Sequence, residues 1–256
     1  MITNTFVADV KDSFSTIKEE YVTYMTGDIE CKGFLAYDQS IKGKRPAILV
    51  ASEWWGIIDN TKVRVRQLAE LGYIALVIDF YGDGKIAVNP RDAQTLTTPF
   101  YNNPHLGKKF LDAALKKIKE YPQTDQRNIA AIGYGFGGFV VLNSAKLGAD
   151  LKGVISFHGN LTGLPVDKTL LKAKILVCYG TNDKFVPQRE VDALKQQLDS
   201  VGAISIFKAY PNTMHAFTNP ESTKMGKEFK LPIEYNAEAD KNSWNDMKTF
   251  FAGLFK

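Results

Sequence analysis

Ile129-Ala-Ala-Ile-Gly-Tyr-Gly-Phe-Gly-Gly138 is a short apolar run that breaks into four glycines. Read locally it is a buried strand, a tight turn and the start of a helix that continues over Phe139–Leu147. Two chemistries use such a turn. A nucleophile elbow, G-x-Nuc-x-G, carries its catalytic side chain at the tip, and here the tip is Gly135, which has none. A dinucleotide fingerprint, G-x-G-x-x-G, is spelled by Gly133, Gly135 and Gly138.

The pattern on either side is strand–helix alternation. Upstream, Tyr21–Met25 and Ile29–Tyr37 read as strands around the turn Thr26-Gly27-Asp28. Ala47–Ser52 is a continuous apolar run of buried parallel-strand length, and Tyr73–Phe80 is another. Thr61–Leu71 carries Val63, Leu68 and Leu71 on a helical stripe that Gly72 stops, and Asn103–Tyr121 reads as a helix ended by Pro122. Downstream come strands Gly153–Phe157, Ile175–Tyr179 and Ser205–Tyr210, with helices over Pro187–Val201 and Asp240–Phe255. Such alternation predicts an α/β fold with a mainly parallel, doubly wound sheet flanked by helices. The absence of a repeat or linker predicts one domain over 1–256, with residues 1–18 as a surface arm. Pro90–Pro104 and Asn212–Tyr235 read as long irregular stretches, which in compact domains are often functional or lids.

Composition narrows the function classes. The 256 residues are 45% hydrophobic and 23% charged, with a net charge of +4, ordinary values for a globular chain. The densest basic run, Lys116-Lys117-Ile118-Lys119, falls in a helical pattern and reads as a solvated face. No basic stripe interleaved with aromatics accompanies it, so no nucleic-acid partner is expected. No apolar run reaches bilayer-spanning length, and Met1–Glu20 lacks the basic and apolar regions of a signal peptide. The expectation is a cytoplasmic protein or the mature form of a secreted or periplasmic one, acting on a small molecule as monomer or homodimer. Cys31 and Cys178 fall in strand-like runs and read as buried free thiols.

Acyl hydrolysis needs a nucleophile, a base for its proton, a carboxylate orienting that base and donors for the oxyanion. In the elbow architecture the order along the chain is nucleophile, acid, histidine, each at the carboxyl end of a strand. Asp183 follows Ile175–Tyr179 in Gly180-Thr-Asn-Asp-Lys-Phe-Val-Pro187; alone it reads equally as a turn or capping residue. His215 follows the last strand in Thr213-Met-His-Ala-Phe217. Of the three histidines, His105 starts a helix and His158 ends a strand, which leaves His215 in the right order and place. Glu53-Trp54-Trp55-Gly56 follows the first buried strand. It reads as the oxyanion loop, with the Trp54 N–H as one donor and the Phe136 N–H as the other. Trp55, Tyr134 and Phe217 are expected to join Trp54 and Phe136 around an aromatic pocket at the carboxyl end of the sheet.

Together these stretches, with His215-x-Phe217 and Tyr235-Asn-Ala-Glu-Ala-Asp-Lys-Asn-Ser-Trp244, resemble the dienelactone hydrolase family of α/β-hydrolases, from about Thr23 to the C-terminus. The resemblance implies the α/β-hydrolase fold and a cysteine-type triad that hydrolyses lactones or activated esters. It implies no metal and no organic cofactor, and Glu53 placed near the thiol to control its ionisation. The chain departs from the family pattern twice. Gly135 replaces the nucleophilic Cys. Asn219 stands where dienelactone-specific members carry an Arg that holds a substrate carboxylate. Lys85, in Tyr81-Gly-Asp-Gly-Lys85, reads either as a substitute charge or as a solvated loop residue.

Removing a triad nucleophile lowers kcat by about 10⁶ and leaves about 10³–10⁴ over water. Ser52 is the one nearby hydroxyl worth naming as a replacement. Three readings stand open: a scaffold with its activity lost, a hydrolase in which His215 activates water, and a non-catalytic binder of small molecules. The dinucleotide reading wants an acid at the end of the next strand, about 20 residues on. That strand ends Ser156-Phe157-His158-Gly159, without one.

Overall fold

The computed structural model describes residues 16–256. The elements run β1 (Ile17–Thr26), β2 (Ile29–Asp38), β3 (Arg45–Ala51), α1 (Asp59–Glu70), β4 (Ile74–Ile78), α2 (Pro90–Asn102), α3 (Pro104–Lys119) and β5 (Thr124–Tyr134). Then follow α4 (Phe136–Lys146), β6 (Gly153–Phe157), β7 (Lys174–Gly180), α5 (Gln188–Ser200), β8 (Ser205–Tyr210), α6 (Ser222–Phe229) and α7 (Ala237–Leu254). One eight-stranded sheet has the order β1-β2-β4-β3-β5-β6-β7-β8. The β1–β2 hairpin and the β2–β4 pair are antiparallel, and every other pair is parallel.

Strand side chains alternate between the two faces of the sheet, and both faces are covered. Leu49, Ala131, Val154 and Val177 meet the buried faces of α3, α4 and α5. Ile48, Val50, Ile132, Ile155 and Leu176 meet α1 and α7. Burial on both sides is why the central strands read as unbroken apolar runs. Both cysteines are buried and free. No described helix is long and apolar enough to cross a membrane.

Four expectations need correction. In α1 the buried stripe is Thr61, Val65, Leu68 and Ala69, while Val63 and Leu71 are exposed; Val63 is off the i, i+4, i+7 line and Leu71 caps the helix. Pro90–Pro104 is not irregular. Asn89 accepts the N–H of Asp92 at 3.0 Å and starts α2, with Pro90 at the first helical position, where its missing N–H costs nothing. Part of Asn212–Tyr235 is likewise helical, as α6. Of the expected arm, residues 1–15 lie outside the described ones, and Ile17 and Lys18 already pair with β2.

Candidate active site

The site is built at the carboxyl ends of β3, β5, β6, β7 and β8, where parallel sheets bind ligands. At the elbow the chain turns from β5 into α4 through Gly135, at φ 51° and ψ −113°. That left-handed conformation is one that side chains adopt at a cost. The Gly135 N–H bonds the Phe157 carbonyl at 3.0 Å, and the Gly137 N–H bonds the Ser52 carbonyl at 3.0 Å. The neighbouring glycines are steric necessities: a Cβ on Gly133 would lie 2.2 Å from the Gly137 carbonyl oxygen, and one on Gly137 2.2 Å from that of Ala51. Gly135 differs. A Cβ there meets nothing closer than Nε2 of His215 at 3.5 Å and Nδ1 of His158 at 3.7 Å, so the elbow has room for a side chain.

Asp183 uses its two oxygens for two tasks. Oδ1 accepts the N–H groups of Phe185 and Val186, at 2.8 and 3.1 Å, and shapes the β7–α5 loop. Oδ2 bonds Nδ1 of His215 at 2.8 Å. A carboxylate only accepts, so Nδ1 of His215 carries the proton. That leaves the lone pair of Nε2 directed at the Gly135 tip. The Asp183 side chain is fully buried and that of His215 is 18% exposed, so the imidazole has access to a cavity and the carboxylate does not.

Glu53 is buried, and Oε2 accepts the Asn219 side-chain amide at 2.7 Å. Burial pushes its pKa above the usual carboxylate value; the Asn219 bond and the positive fields of His215 and Arg64 pull the other way. Asn219 is itself buried, and the donor it offers is spent on Glu53 instead of a substrate. Tyr81 donates to the Trp54 carbonyl at 2.8 Å, which fixes that peptide. Among the described residues, the N–H groups of Trp54 and Phe136 bond no protein acceptor, and Phe136 opens α4, where the helix dipole favours negative charge. Both are free to hold an oxyanion.

These groups meet a cavity of about 380 Å³ lined by Glu53, Trp54, Trp55, Gly135, Phe136 and His215. Three residues expected there are elsewhere. Tyr134 stacks on Phe157 at 4.8 Å, and Phe217 packs on His158 and Tyr210, both in the core on the α7 side. Strand alternation turns Tyr134 away from the cavity. Lys85 is exposed on its loop and lines no part of the cavity. Ser52 is buried behind the elbow and also does not line it. Sequence reasoning missed the wall made by Gln94, Thr97, Thr98 and Tyr101 of α2, and Phe185 and Ile233 beside His215. It also set aside His158, whose place at the end of β6 was the available signal.

The model of the dienelactone hydrolase family matches residues 31–255. The chain belongs to the dienelactone hydrolase family. A crystal structure of a dienelactone hydrolase-like promiscuous phosphotriesterase from metagenomic libraries superposes with a TM-score of 0.88 at 29% identity, covering 93% of this chain and 99% of that one. An uncharacterised protein of Caenorhabditis elegans is 34% identical over 149 residues, 57% of this chain and 92% of its own length. The protein usf of Aquifex pyrophilus is 26% identical over 238 residues, 91% of this chain and 97% of its own. Along the chain the glycine turn at Gly135 is followed by Asp183 and then His215, the order expected from the sequence.

Proposed function

We propose that this protein is a hydrolase of small, neutral carboxylic esters or lactones, strongly reduced in rate, in which His215 activates a water where a thiol would otherwise attack. One observation carries the reading. A histidine already oriented by a buried aspartate aims Nε2 at the elbow tip, 3.5 Å from the position of a Cβ on Gly135. Water donates a proton to Nε2, its oxygen attacks the carbonyl carbon, and the N–H groups of Trp54 and Phe136 take the oxyanion. His215 then returns the proton to the leaving alkoxide. Asp183 keeps the imidazole in the tautomer this needs and stabilises the imidazolium.

Substrate neutrality follows from the lining. Among the described residues no Lys or Arg borders the cavity, and the buried Glu53 does, so a substrate carboxylate finds no counter-charge among them. The metagenomic relative is a promiscuous phosphotriesterase, and phosphotriesters are neutral as well.

The test is Gly135→Cys assayed beside the wild type on a neutral aryl ester. The variant is expected to gain about 10³-fold or more in kcat and to lose about 1–3 kcal/mol of stability to backbone strain at the elbow. His215→Ala should abolish both activities. A folded but inert Gly135→Cys protein means that the triad assignment is wrong. A wild type that binds such esters without His215-dependent turnover is a binding protein instead.

A further inference from the structure

Nδ1 of His158 is buried without a hydrogen-bond partner among the described residues. It lies 3.7 Å from the position of a Cβ on Gly135, beside Nε2 of His215 at 3.5 Å. The two rings meet edge-on, 5.0 Å apart. Everything else about His158 is held. Its N–H bonds the Cys178 carbonyl at 2.8 Å, its Nε2 bonds Oγ1 of Thr218 at 2.8 Å, and Phe217 packs against the ring at 5.1 Å. Its backbone takes φ 42°, a conformation uncommon for a residue with a side chain. A buried polar atom left unmatched costs free energy unless something meets it. Here the nearest neighbour on its free side is the place that a side chain on Gly135 would occupy, in ordinary contact distance of Nδ1.

Burial, and next the repulsion that a second positive charge beside His215 would meet, hold the His158 pKa well below the ordinary histidine value, so the ring is neutral. Nδ1 therefore offers a lone pair or an N–H, depending on the tautomer that Thr218 selects. Water satisfies either, because it both donates and accepts. A metal ion does not suit the pair. Among the described residues no three His, Cys, Asp or Glu side chains group closely enough to hold one.

We propose that His158 is a second catalytic residue, which binds the attacking water through Nδ1 while Nε2 of His215 removes its proton. The inference rests on the water mechanism above. In the step, one O–H bond of water breaks and its proton passes to Nε2. The oxygen forms a bond to the carbonyl carbon, and the other O–H remains. The ester C–O bond then breaks, and the alkoxide takes the proton from His215, giving acid and alcohol. His158 exchanges no net proton. It fixes where the water stands, as the tether to the backbone would for a side-chain nucleophile.

Two substitutions separate the ring's two nitrogens. His158→Asn keeps an amide near the Nδ1 position and loses the reach to Thr218; Asn also tolerates positive φ. His158→Gln keeps the reach to Thr218 and loses the group facing Gly135. Thr218→Val cuts only the Thr218 bond and backs up the comparison should His158→Gln melt at assay temperature. On a neutral aryl ester, His158→Asn is expected to keep kcat about tenfold or more above that of His158→Gln, and Thr218→Val to lose less than His158→Gln does. His158→Gln should lose about 10- to 100-fold in kcat with KM unchanged, the size of effect that misplacing a reacting group produces. In the Gly135→Cys background, where the nucleophile is tethered, the same His158→Gln change should matter less than about threefold, because positioning no longer rests on Nδ1. The opposite order, with activity following the Thr218 bond, or an equal loss in the Gly135→Cys background, makes His158 structural and overturns the proposal. Wild-type turnover that survives His215→Ala overturns the water mechanism itself, which is a separate result.

Discussion

At the residue scale, the site is set by what each polar atom is bonded to. Asp183 divides its oxygens between a loop and His215, so it makes both the turn bonds and the bond to a histidine that its position suggested. Glu53 is the costly member. Its folded pKa lies above the unfolded value, chiefly through burial, with the reference at 4.5. A raised carboxyl pKa means that its contribution to stability is fully present below about pH 4.5 and is lost as pH rises toward the folded pKa. Glu53→Gln should therefore be more stable than the wild type at pH 7, with the difference vanishing near pH 4. Each unit between the two pKa values is worth about 1.4 kcal/mol. Urea melts at a series of pH values read this directly; a difference independent of pH would show that Glu53 is not held in its protonated-favouring site.

At the element scale, α2 was the least legible part of the chain. Pro90, Pro99 and Pro104 punctuate it, and proline density reads as loop. The helix forms because Pro90 stands at the first helical position behind the Asn89 cap, and because Ala93, Thr97 and Phe100 share one buried face. Thr97 also turns its hydroxyl back onto the helix, donating to the Ala93 carbonyl at 2.8 Å. Since α2 supplies a cavity wall, its stability and substrate binding are linked. Asn89→Ala removes the cap bond to Asp92 and is expected to cost about 1 kcal/mol of unfolding free energy. It should also raise KM more than it lowers kcat. Chemical denaturation and steady-state kinetics on the same variant check both; unchanged KM would mean that the wall holds without its cap. The central strand Gly153–Phe157, by contrast, falls where the sequence places it, since burial on both faces writes itself into a continuous apolar run; Ser205–Tyr210, at the sheet edge, was legible as well, although only Tyr210 of it is buried.

At the scale of the whole molecule, charge is distributed away from the site. The chain carries a net +4, yet among the described residues no Lys or Arg borders the cavity. Arg64, a buried cation whose field reaches Glu53, is spent on Asp240 at 2.5 Å and on the Thr218 carbonyl at 2.6 Å. In the Gly135→Cys protein, a neutral lactone should thus be preferred over its carboxylated counterpart by at least about tenfold in kcat/KM, the equivalent of about 1.4 kcal/mol. Competition between the two substrates measures it, and a preference for the carboxylated one would place a cation in the site.

The sequence alone determined the α/β alternation, the elbow with a glycine at its tip, and the order in which Asp183 and His215 follow it. Those features are local, carried by periodicity and short motifs. The tertiary structure alone decided which side chains face Gly135. It buried Tyr134 and Phe217, turned Asn219 onto Glu53 and brought Nδ1 of His158 beside His215. The reason is that side-chain direction at a strand end depends on partners distant in the chain. Thr218, which holds the His158 ring, lies 60 residues away, and Asn219 lies 166 residues from Glu53.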